Sequence, residues 1–213
     1  DVEMAIEAYD EMNTVLPIRR IADRLIAEGN IGLVCLTGVQ SNQFPRAMDL
    51  ARRFRARGVQ VAVGGFHVSG CLSMLPELPA DLKEAQALGV SLFAGEAEQR
   101  LDEVFADALK GALKPLYNYL SDLPGLQQAV TPFLPAELVQ KYDGVISSFD
   151  AGRGCPFQCS FCTIINVQGR KSRWRDADDI ERLVRQNREQ GIWRFFITDD
   201  NFARNRNWEA IFD

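Results

Sequence analysis

Three closely spaced cysteines constrain this chain more than any other feature. Cys155, Cys159 and Cys162 form the pattern CxxxCxxC in the run GRGCPFQCSFC. Cysteine thiolates hold iron–sulfur clusters, and a four-iron cluster normally takes four of them. Three ligands would leave one iron with an open position, where a small molecule can bind the metal directly. The pattern therefore predicts a loop that wraps a reactive 4Fe-4S cluster.

The residues between and before these cysteines suit the same chemistry. Gly152 and Gly154 allow a tight turn and a close approach of the backbone to a bulky ligand. Phe157 and Phe161 are expected to shield a cluster from water, and burial is one of the influences on cluster potential. Arg153 would place a permanent cation beside an anionic site.

A structural zinc site is the main alternative for the three cysteines. Structural zinc takes four Cys or His ligands, and the other candidates, His67, Cys35 and Cys71, lie far away in the sequence. A disulfide framework is disfavoured, because five cysteines is an odd number and nothing indicates secretion. The spacing favours a cluster over zinc.

The segments around the cysteine loop predict the start of a parallel βα barrel. Residues 145–149 read as a short strand before the loop, and 193–198 as a second strand after it. Between them, Asp176 is a candidate N-cap, residues 180–184 carry a helical apolar stripe, and Gly191 is a stop signal. In parallel barrels the active site lies at the carboxyl ends of the strands.

Acidic residues follow the second of these strands. Asp199 and Asp200 should therefore open on the same face as the cysteine loop, where they could meet a cationic ligand. Alternatively, the two carboxylates cap the next helix, because acidic residues favour helix N-termini.

A strongly basic stretch, residues 169–175, could indicate nucleic-acid binding. The chain as a whole is acidic, with a net charge of −5 and a pI near 5.1, and it offers no second basic face. We expect a solvated or cofactor-facing loop and no nucleic-acid partner.

The first half of the chain alternates helices and strands, which predicts a flavodoxin-like doubly wound parallel sheet. The run 31–37 is nearly continuously apolar and predicts a strand buried on both faces. Residues 2–9 alternate as a strand would, although their composition also suits a helix. The other predicted elements are helices at 18–26, 45–58 and 96–111, and strands at 59–63 and 90–93.

Three loops follow the predicted strands and would share one edge of this sheet, at 37–42, 64–70 and 95–98. Two of them are glycine-rich, which suits a large planar or nucleotide-bearing cofactor. Glycines after parallel strands are also common as ordinary turns.

CxxxCxxC with Phe161 before its last cysteine resembles the hallmark of radical S-adenosylmethionine (radical SAM) enzymes. The resemblance implies that the open iron binds the amino and carboxylate groups of S-adenosylmethionine. Reductive cleavage would then give methionine and a 5′-deoxyadenosyl radical. In the family, the loop after the second strand commonly binds the amino group, often through Gly-Gly-Glu. Thr198, Asp199 and Asp200 occupy that place here, and Phe161 belongs to the same implied S-adenosylmethionine site.

The front half, with a Gly-Gly pair and then Gly95-Glu96-Ala97-Glu98, looks like the cobalamin-binding domain of cobalamin-dependent radical SAM enzymes. The Asp-x-His-x-x-Gly motif that ligates cobalt is not present, so His67 is expected to be a hydrogen-bonding loop residue and not a cobalt ligand. Cys35 is predicted to lie in the core, and Cys71 has no clear role. The residues implied for cobalamin are Thr37, Gly38, Val39, Gln40, Gly64, Gly65 and His67.

The predicted organisation has three parts. Residues 1–111 form the cobalamin-binding-like domain, without its first strand, and the proline-rich segment 112–142 is a crossing linker. Residues 143–213 form the truncated start of the radical SAM barrel, so the chain reads as a fragment. Unpaired cysteines, with neither a transmembrane run nor a signal peptide, predict a cytoplasmic protein.

The favoured function is a cobalamin-dependent radical SAM enzyme that methylates, cyclises or oxidises a small molecule and takes electrons from a donor such as flavodoxin or ferredoxin. One alternative is a radical SAM enzyme without cobalamin, whose front domain binds substrate. Another is a non-enzymatic metal-binding sensor or interaction module. Methylthiotransferases carry three further cysteines in their front domain, whereas only Cys35 and Cys71 remain here.

Overall fold

The computed structural model describes residues 3–11, 14–131, 133–137, 139 and 146–213. Val2, at the start of the predicted alternating segment, lies outside these residues, as does Val145, at the start of the predicted strand before the cysteines. Residues 3–10 form neither strand nor helix.

Four parallel strands form the front sheet, and they lie side by side in chain order. The mixed α/β prediction with a parallel sheet is confirmed. A doubly wound sheet also reverses its strand order at one point, and the strands of the described residues show no such reversal. The strands are β1 (Leu33–Leu36), β2 (Gln60–Gly64), β3 (Val90–Ala94) and β4 (Leu116–Asn118).

Helices connect these strands and cover the sheet: α1 (Ile18–Leu25), α2 (Phe44–Arg55), α3 (Phe66–Met74), α4 (Ala80–Ala87) and α5 (Leu101–Leu109). α1 and α2 confirm the predicted helical stripes, and Pro45 occupies the first turn of α2, where its missing N–H costs nothing. Phe44, Leu82 and Leu92 are almost completely buried in the core. Burying each such side chain stabilises the fold by about 1.5–3 kcal/mol.

Some predictions for the front half were wrong. β1 is half-buried to exposed along its length, and Cys35 is exposed instead of lying in the core. The reason is position: within the described residues β1 is an edge strand that pairs only with β2. α3 begins at Phe66, inside the predicted glycine-rich loop, and α5 begins at Leu101, later than predicted.

The segment predicted as a linker also packs against the rest of the chain. Its residues Leu116–Asn118 are β4, which pairs with β3. The Tyr117 side chain is buried, and its hydroxyl donates to Asp107 at 2.9 Å. Leu126, further along the segment, is fully buried. The front sheet therefore extends beyond residue 111.

The second half is built around two short sheets. β5 (Ile146–Phe149) pairs in parallel with β8 (Arg194–Ile197), and β6 (Gly152–Arg153) pairs antiparallel with β7 (Arg173–Trp174). The remaining elements are α6 (Ile164–Val167), α7 (Ala177–Glu189), a 3-10 turn (Phe202–Arg204) and α8 (Trp208–Phe212).

The predicted strand–helix–strand order around the cysteines is confirmed by β5, α7 and β8. Asp176 stands at the N-cap position of α7, although its side chain makes no capping hydrogen bond. Gly191 follows the helix with φ of +83°, the left-handed conformation that commonly ends helices. Ile180 and Leu183 on α7 pack against Phe149 of β5.

No helix in the described part of the chain is both long and apolar enough to cross a lipid bilayer.

Candidate functional site

The three cysteines lie on one loop between β6 and α6. Cys155 is buried, Cys162 half-buried and Cys159 exposed. The Cys155 N–H donates to the Gly169 carbonyl at 3.2 Å, and the Cys162 N–H donates to the Cys159 carbonyl at 3.1 Å. Among the described residues, no three Cys, His, Asp or Glu side chains are arranged to hold a single metal ion. The structure thus places the three thiols on one loop without gathering them around one point.

Two glycines at the entry of this loop are required by close packing. A β-carbon on Gly154, which has φ of +80°, would lie 2.5 Å from the Lys171 carbonyl oxygen. A β-carbon on Gly152 would lie 2.8 Å from the Arg173 carbonyl oxygen and 2.9 Å from Asp199 Oδ2. Both distances are too short for any side chain. Gly154 has the left-handed conformation expected for a tight turn, whereas Gly152 lies in β6 and is required by close packing.

Asn201 contacts the first cysteine. Its Nδ2 donates to Cys155 Sγ at 3.7 Å. Hydrogen bonds to cysteine sulfur stabilise a thiolate and tune cluster potentials, so the donor set at Cys155 fits iron–sulfur ligation. Asn201 was not predicted as a site residue, although it belongs to the loop after β8 that was expected to face the cysteines.

Of the residues predicted to contact S-adenosylmethionine after β8, Asp199 and Asp200 lie beside the start of the cysteine loop, and Thr198 lies beside the end of β5. The Thr198 N–H donates to the Phe149 carbonyl at 2.9 Å, and the Gly154 N–H lies 3.3 Å from Asp200 Oδ2. Thr198, Asp200 and Arg153 line a polar cavity of about 300 Å³.

The two carboxyl groups of this loop are partly desolvated. Burial raises the pKa of Asp199, and the Asp150 charge adds to the shift, against a hydrogen bond from the Asn201 N–H. Burial also raises the pKa of Asp200, and the neighbouring Asp199 charge acts in the same direction. The site therefore holds carboxylates whose negative charge would be stabilised by a cationic ligand. Asp199 Oδ1 accepts from the Asn201 N–H at 2.8 Å, and Asn201 is the residue that precedes the 3-10 turn.

The expected shielding by phenylalanines is not seen. Phe161 is 88% exposed and Phe157 is 43% exposed. Both lie on the surface part of the cysteine loop, where the chain offers them little to pack against. The Arg204 guanidinium lies 4.4 Å from the Phe157 ring centre.

Arg153 is not a free cation beside the cysteines. Its three guanidinium nitrogens pair with Asp150 at 2.7 Å, Glu96 at 2.8 Å and Glu98 at 2.7 Å. Burial disfavours the charge, but the hydrogen bond to Glu98 and the charges of Asp150, Glu98 and Glu96 outweigh it and raise the pKa of Arg153. Glu96 and Glu98 follow β3, so this cluster joins the front sheet to the cysteine loop.

The basic stretch 169–175 was expected to be a solvated or cofactor-facing loop; Arg170 and Lys171 are exposed, but Arg175 is buried, which differs from a solvated loop. Arg175 is fully buried; its Nη2 donates to Asp150 Oδ1 at 3.0 Å and its Nη1 to the Ala129 carbonyl at 3.1 Å. Arg173 binds Glu96 and the Pro124 carbonyl. The charges of Arg173 and Arg175 are neutralised inside the protein, which the sequence pattern could not reveal because the partners are distant in the chain.

The loops after β1 and β2 meet at the edge of the front sheet, where the cobalamin residues were predicted. Gly65 has φ of +144°, and a β-carbon there would lie 2.2 Å from the Val39 nitrogen. The Val39 N–H in turn donates to the Gly64 carbonyl at 3.1 Å. The Val39 side chain is buried in the core, which leaves its backbone at this edge.

The other residues predicted at this edge are open to solvent. Thr37, Gly38 and Gln40 are exposed, and a β-carbon on Gly38 would have no heavy atom within 4 Å. This open edge, with a glycine at φ of +66°, has room for a large ligand lying across the strand ends.

His67 lies in the first turn of α3, and both of its ring nitrogens have partners. Nε2 is 2.9 Å from Asp81 Oδ2, and Nδ1 is 3.1 Å from Ser41 Oγ. Its ring also stacks on Phe44, with 4.3 Å between ring centres. This is the hydrogen-bonding role predicted for His67. Cys71 Sγ lies 3.9 Å from His67 Nδ1.

A larger surface groove of about 730 Å³ lies along α1, and Arg19, Arg20 and Arg53 line part of it. It is shallow, and no residue predicted for a metal or cofactor belongs to it.

A parallel α/β sheet whose loops meet a second α/β unit, with CxxxCxxC on a loop of that second unit, is the arrangement that the resemblance to radical SAM proteins implies. No protein-family model matches the chain. It is 29% identical to bacteriochlorophyllide d C-8(2)-methyltransferase of Chlorobaculum tepidum, over 89% of this chain and 43% of the relative. It is 25% identical to the cobalamin-dependent radical SAM methyltransferase TokK of Streptomyces tokunonensis, over 94% of this chain and 32% of the relative.

The fold is also similar to solved structures of the radical SAM methyltransferase TsrM from Kitasatospora setae. The structure with cobalamin and a [4Fe-4S] cluster bound matches with a TM-score of 0.63 and 14% identity, over 91% of this chain and 42% of that chain. The chain thus spans less than half the length of these relatives. The homologues of this chain thus include cobalamin-dependent radical SAM methyltransferases.

Proposed function

We propose that this chain is part of a cobalamin-dependent radical SAM methyltransferase. Cys155, Cys159 and Cys162 would hold a 4Fe-4S cluster through three of its irons. When bound, the cluster and S-adenosylmethionine supply the reductive cleavage that gives a 5′-deoxyadenosyl radical, and cobalamin supplies a methyl carrier. The substrate would be a small molecule, since the name of one relative gives bacteriochlorophyllide d as its substrate.

One observation carries this proposal: the cysteine loop, the carboxylates after β8 and the loops of the front sheet lie next to one another. The Gly154 N–H and Asp200 Oδ2 join the first two, and Arg153 with Glu96 joins the first and third. Asp199 and Asp200 would orient the ammonium group of S-adenosylmethionine, because a carboxylate in a partly desolvated site gains most from a cationic partner.

For the front sheet, we propose the flavodoxin-like arrangement of a cobalamin-binding domain, extended through β4. Thr37, Gly38 and Gln40 would face the corrin, while Gly64 and Gly65 would lie toward the nucleotide tail. The second half would then be the first part of a radical SAM barrel, beginning with β5 and β8. An electron donor such as flavodoxin or ferredoxin would reduce the cluster.

The cluster is tested by iron content after anaerobic reconstitution of the full-length protein with iron and sulfide. The wild type should bind about four irons, and Cys155→Ala, Cys159→Ala and Cys162→Ala should each lose most of them. Cys35→Ala and Cys71→Ala are matched controls and should retain iron. If zinc binds in place of iron and sulfide, or if the three loop variants retain iron, the proposal is wrong.

Turnover is tested by adding S-adenosylmethionine and a reductant to the reconstituted protein and measuring 5′-deoxyadenosine or S-adenosylhomocysteine. Neither product would form if the chain were a non-enzymatic metal-binding module.

Cobalamin binding is tested separately by loading the full-length protein with hydroxocobalamin and recording its absorbance after gel filtration. Thr37→Trp would place a large side chain at the open edge. It should reduce the amount of bound corrinoid at least about tenfold, which corresponds to a loss of about 1.4 kcal/mol in binding free energy. Val130→Trp, at a side chain that is 86% exposed, is the matched control. Cluster formation without any corrinoid binding would instead support a radical SAM enzyme whose front domain binds substrate.

A further inference from the structure

Two arginines stand directly opposite each other at the base of the cysteine loop. In the β6–β7 pair, Arg153 is the cross-strand partner of Arg173. β6 leads into the cysteines, and β7 follows them after α6, so this pair closes the loop at its base. Like charges at directly opposed positions destabilise a strand pair, and both side chains are mostly buried, at 17% and 14% exposure.

Glu96 lies between the two guanidinium groups. Its Oε2 accepts from Arg153 Nη1 at 2.8 Å and from Arg173 Nη1 at 2.9 Å, and its Oε1 accepts from Arg173 Nη2. Its side chain is only 9% exposed. One buried carboxylate therefore bridges two cations whose repulsion would otherwise weaken the pairing of β6 with β7.

The other carboxylates near Arg153 do not reach Arg173. Asp150 and Glu98 each bind Arg153, whereas the remaining partners of Arg173 are the neutral carbonyl groups of Pro124 and Gln168. Without Glu96, Arg153 would still have two carboxylate partners, whereas Arg173 would have no carboxylate partner among the described residues.

We propose that Glu96, supplied by the front sheet, is a positioning residue for the cysteine loop: it holds Arg153 and Arg173 together and so fixes the backbone that carries Cys155. The consequence for a metal centre rests on the function proposed above. Because Glu96 follows β3 at the edge where cobalamin residues are predicted, it ties the geometry of the cysteine loop to the front sheet.

Thiol accessibility in the metal-free full-length protein tests the positioning directly. Cys155 is buried and Cys159 is exposed, so alkylation of Cys159 by iodoacetamide is an internal reference for Cys155, both followed by mass spectrometry. Glu96→Gln should raise the alkylation rate of Cys155 relative to Cys159 about tenfold, because a buried charge loses its partner.

Glu98→Gln is the matched control. It removes a carboxylate from Arg153 but leaves Arg173 paired, so Cys155 should stay within about threefold of the wild-type rate. The double variant Glu96→Gln/Arg173→Gln removes one of the two opposed cations and should return Cys155 toward the wild-type rate. It should do so even if Glu96→Gln alone does not fold.

The inference is overturned if Glu96→Gln leaves Cys155 as protected as in the wild type, if Glu98→Gln has an equal effect, or if the double variant shows no recovery. In the reconstituted protein, Glu96→Gln should also change the EPR signal of the reduced cluster, while Glu98→Gln should not. A wild type that holds no iron would refute the proposed function, yet the alkylation results would still decide the role of Glu96.

Discussion

The side-chain amide of Asn201 donates to the sulfur of Cys155 across 3.7 Å. This contact joins the loop after β8 to the first cysteine. It places a hydrogen-bond donor where a cysteine thiolate would carry negative charge.

Asn201→Ala should make the potential of a reconstituted cluster more negative. The hydrogen bond stabilises the reduced, more negatively charged cluster, so removing it favours oxidation. A net hydrogen bond of about 1 kcal/mol corresponds to about 40 mV for one electron. Spectroelectrochemical titration of the full-length protein measures the shift. Asn30→Ala, which removes a surface hydrogen bond to the Arg24 carbonyl, should leave the potential unchanged, and a similar shift in both variants would contradict the prediction.

Gly65→Ala should destabilise the front sheet by at least about 3 kcal/mol, because the new methyl group would collide with the Val39 backbone. Urea unfolding followed by circular dichroism gives the free energy. Gly111→Ala is the matched control: Gly111 also has a positive φ, of +66°, but a β-carbon there meets no atom within 4 Å. Its cost should be limited to backbone strain of about 1–2 kcal/mol. Equal losses in the two variants would show that the close contact with Val39 does not matter.

Asp199→Asn should stabilise the protein at neutral pH. Because the pKa of Asp199 is raised by burial above its ordinary value of 3.8, the folded state binds the proton more tightly than the unfolded state. Its contribution to stability is therefore present below pH 3.8 and is lost as the pH rises through the folded pKa. The amide keeps an oxygen for the Asn201 N–H without the unfavourable charge.

Urea midpoints at pH 7 and near pH 4 measure this effect. The advantage of Asp199→Asn should be largest at pH 7 and should shrink as the pH falls. Asp213→Asn, at an exposed residue outside the site, should show little pH-dependent difference. A variant less stable than the wild type at pH 7 would mean that the Asp199 charge is stabilised by a partner in the folded state.

Arg175→Met should destabilise the fold by about 3 kcal/mol. It removes a fully buried guanidinium from Asp150 and from the Ala129 carbonyl, and breaking a buried ion pair by removing one partner is strongly destabilising. Chemical denaturation provides the measurement. Arg185→Met removes an exposed pair with Glu181 and should change stability by less than about 1 kcal/mol. If both changes cost the same, Arg175 has no special structural role.

The sequence by itself determined the cysteine motif and most of the local structure. The spacing of Cys155, Cys159 and Cys162 does not depend on folding. The 3.6-residue apolar repeat and the glycine stop signals were sufficient to predict the helices α1, α2 and α7. Apolar runs likewise identified β2, β3 and β8. These features depend on residues close together in the chain, where steric preferences and hydrophobic periodicity act directly.

Only the tertiary structure decided which charged groups meet. Glu96 and Arg173 are far apart in the sequence, and Arg175 lies in a stretch whose composition indicates solvent exposure. The exposure of Cys35 and the inclusion of β4 in the front sheet likewise depend on which strand has a neighbour. A buried ion pair or a strand position is set by long-range packing, and a linear pattern does not contain that information.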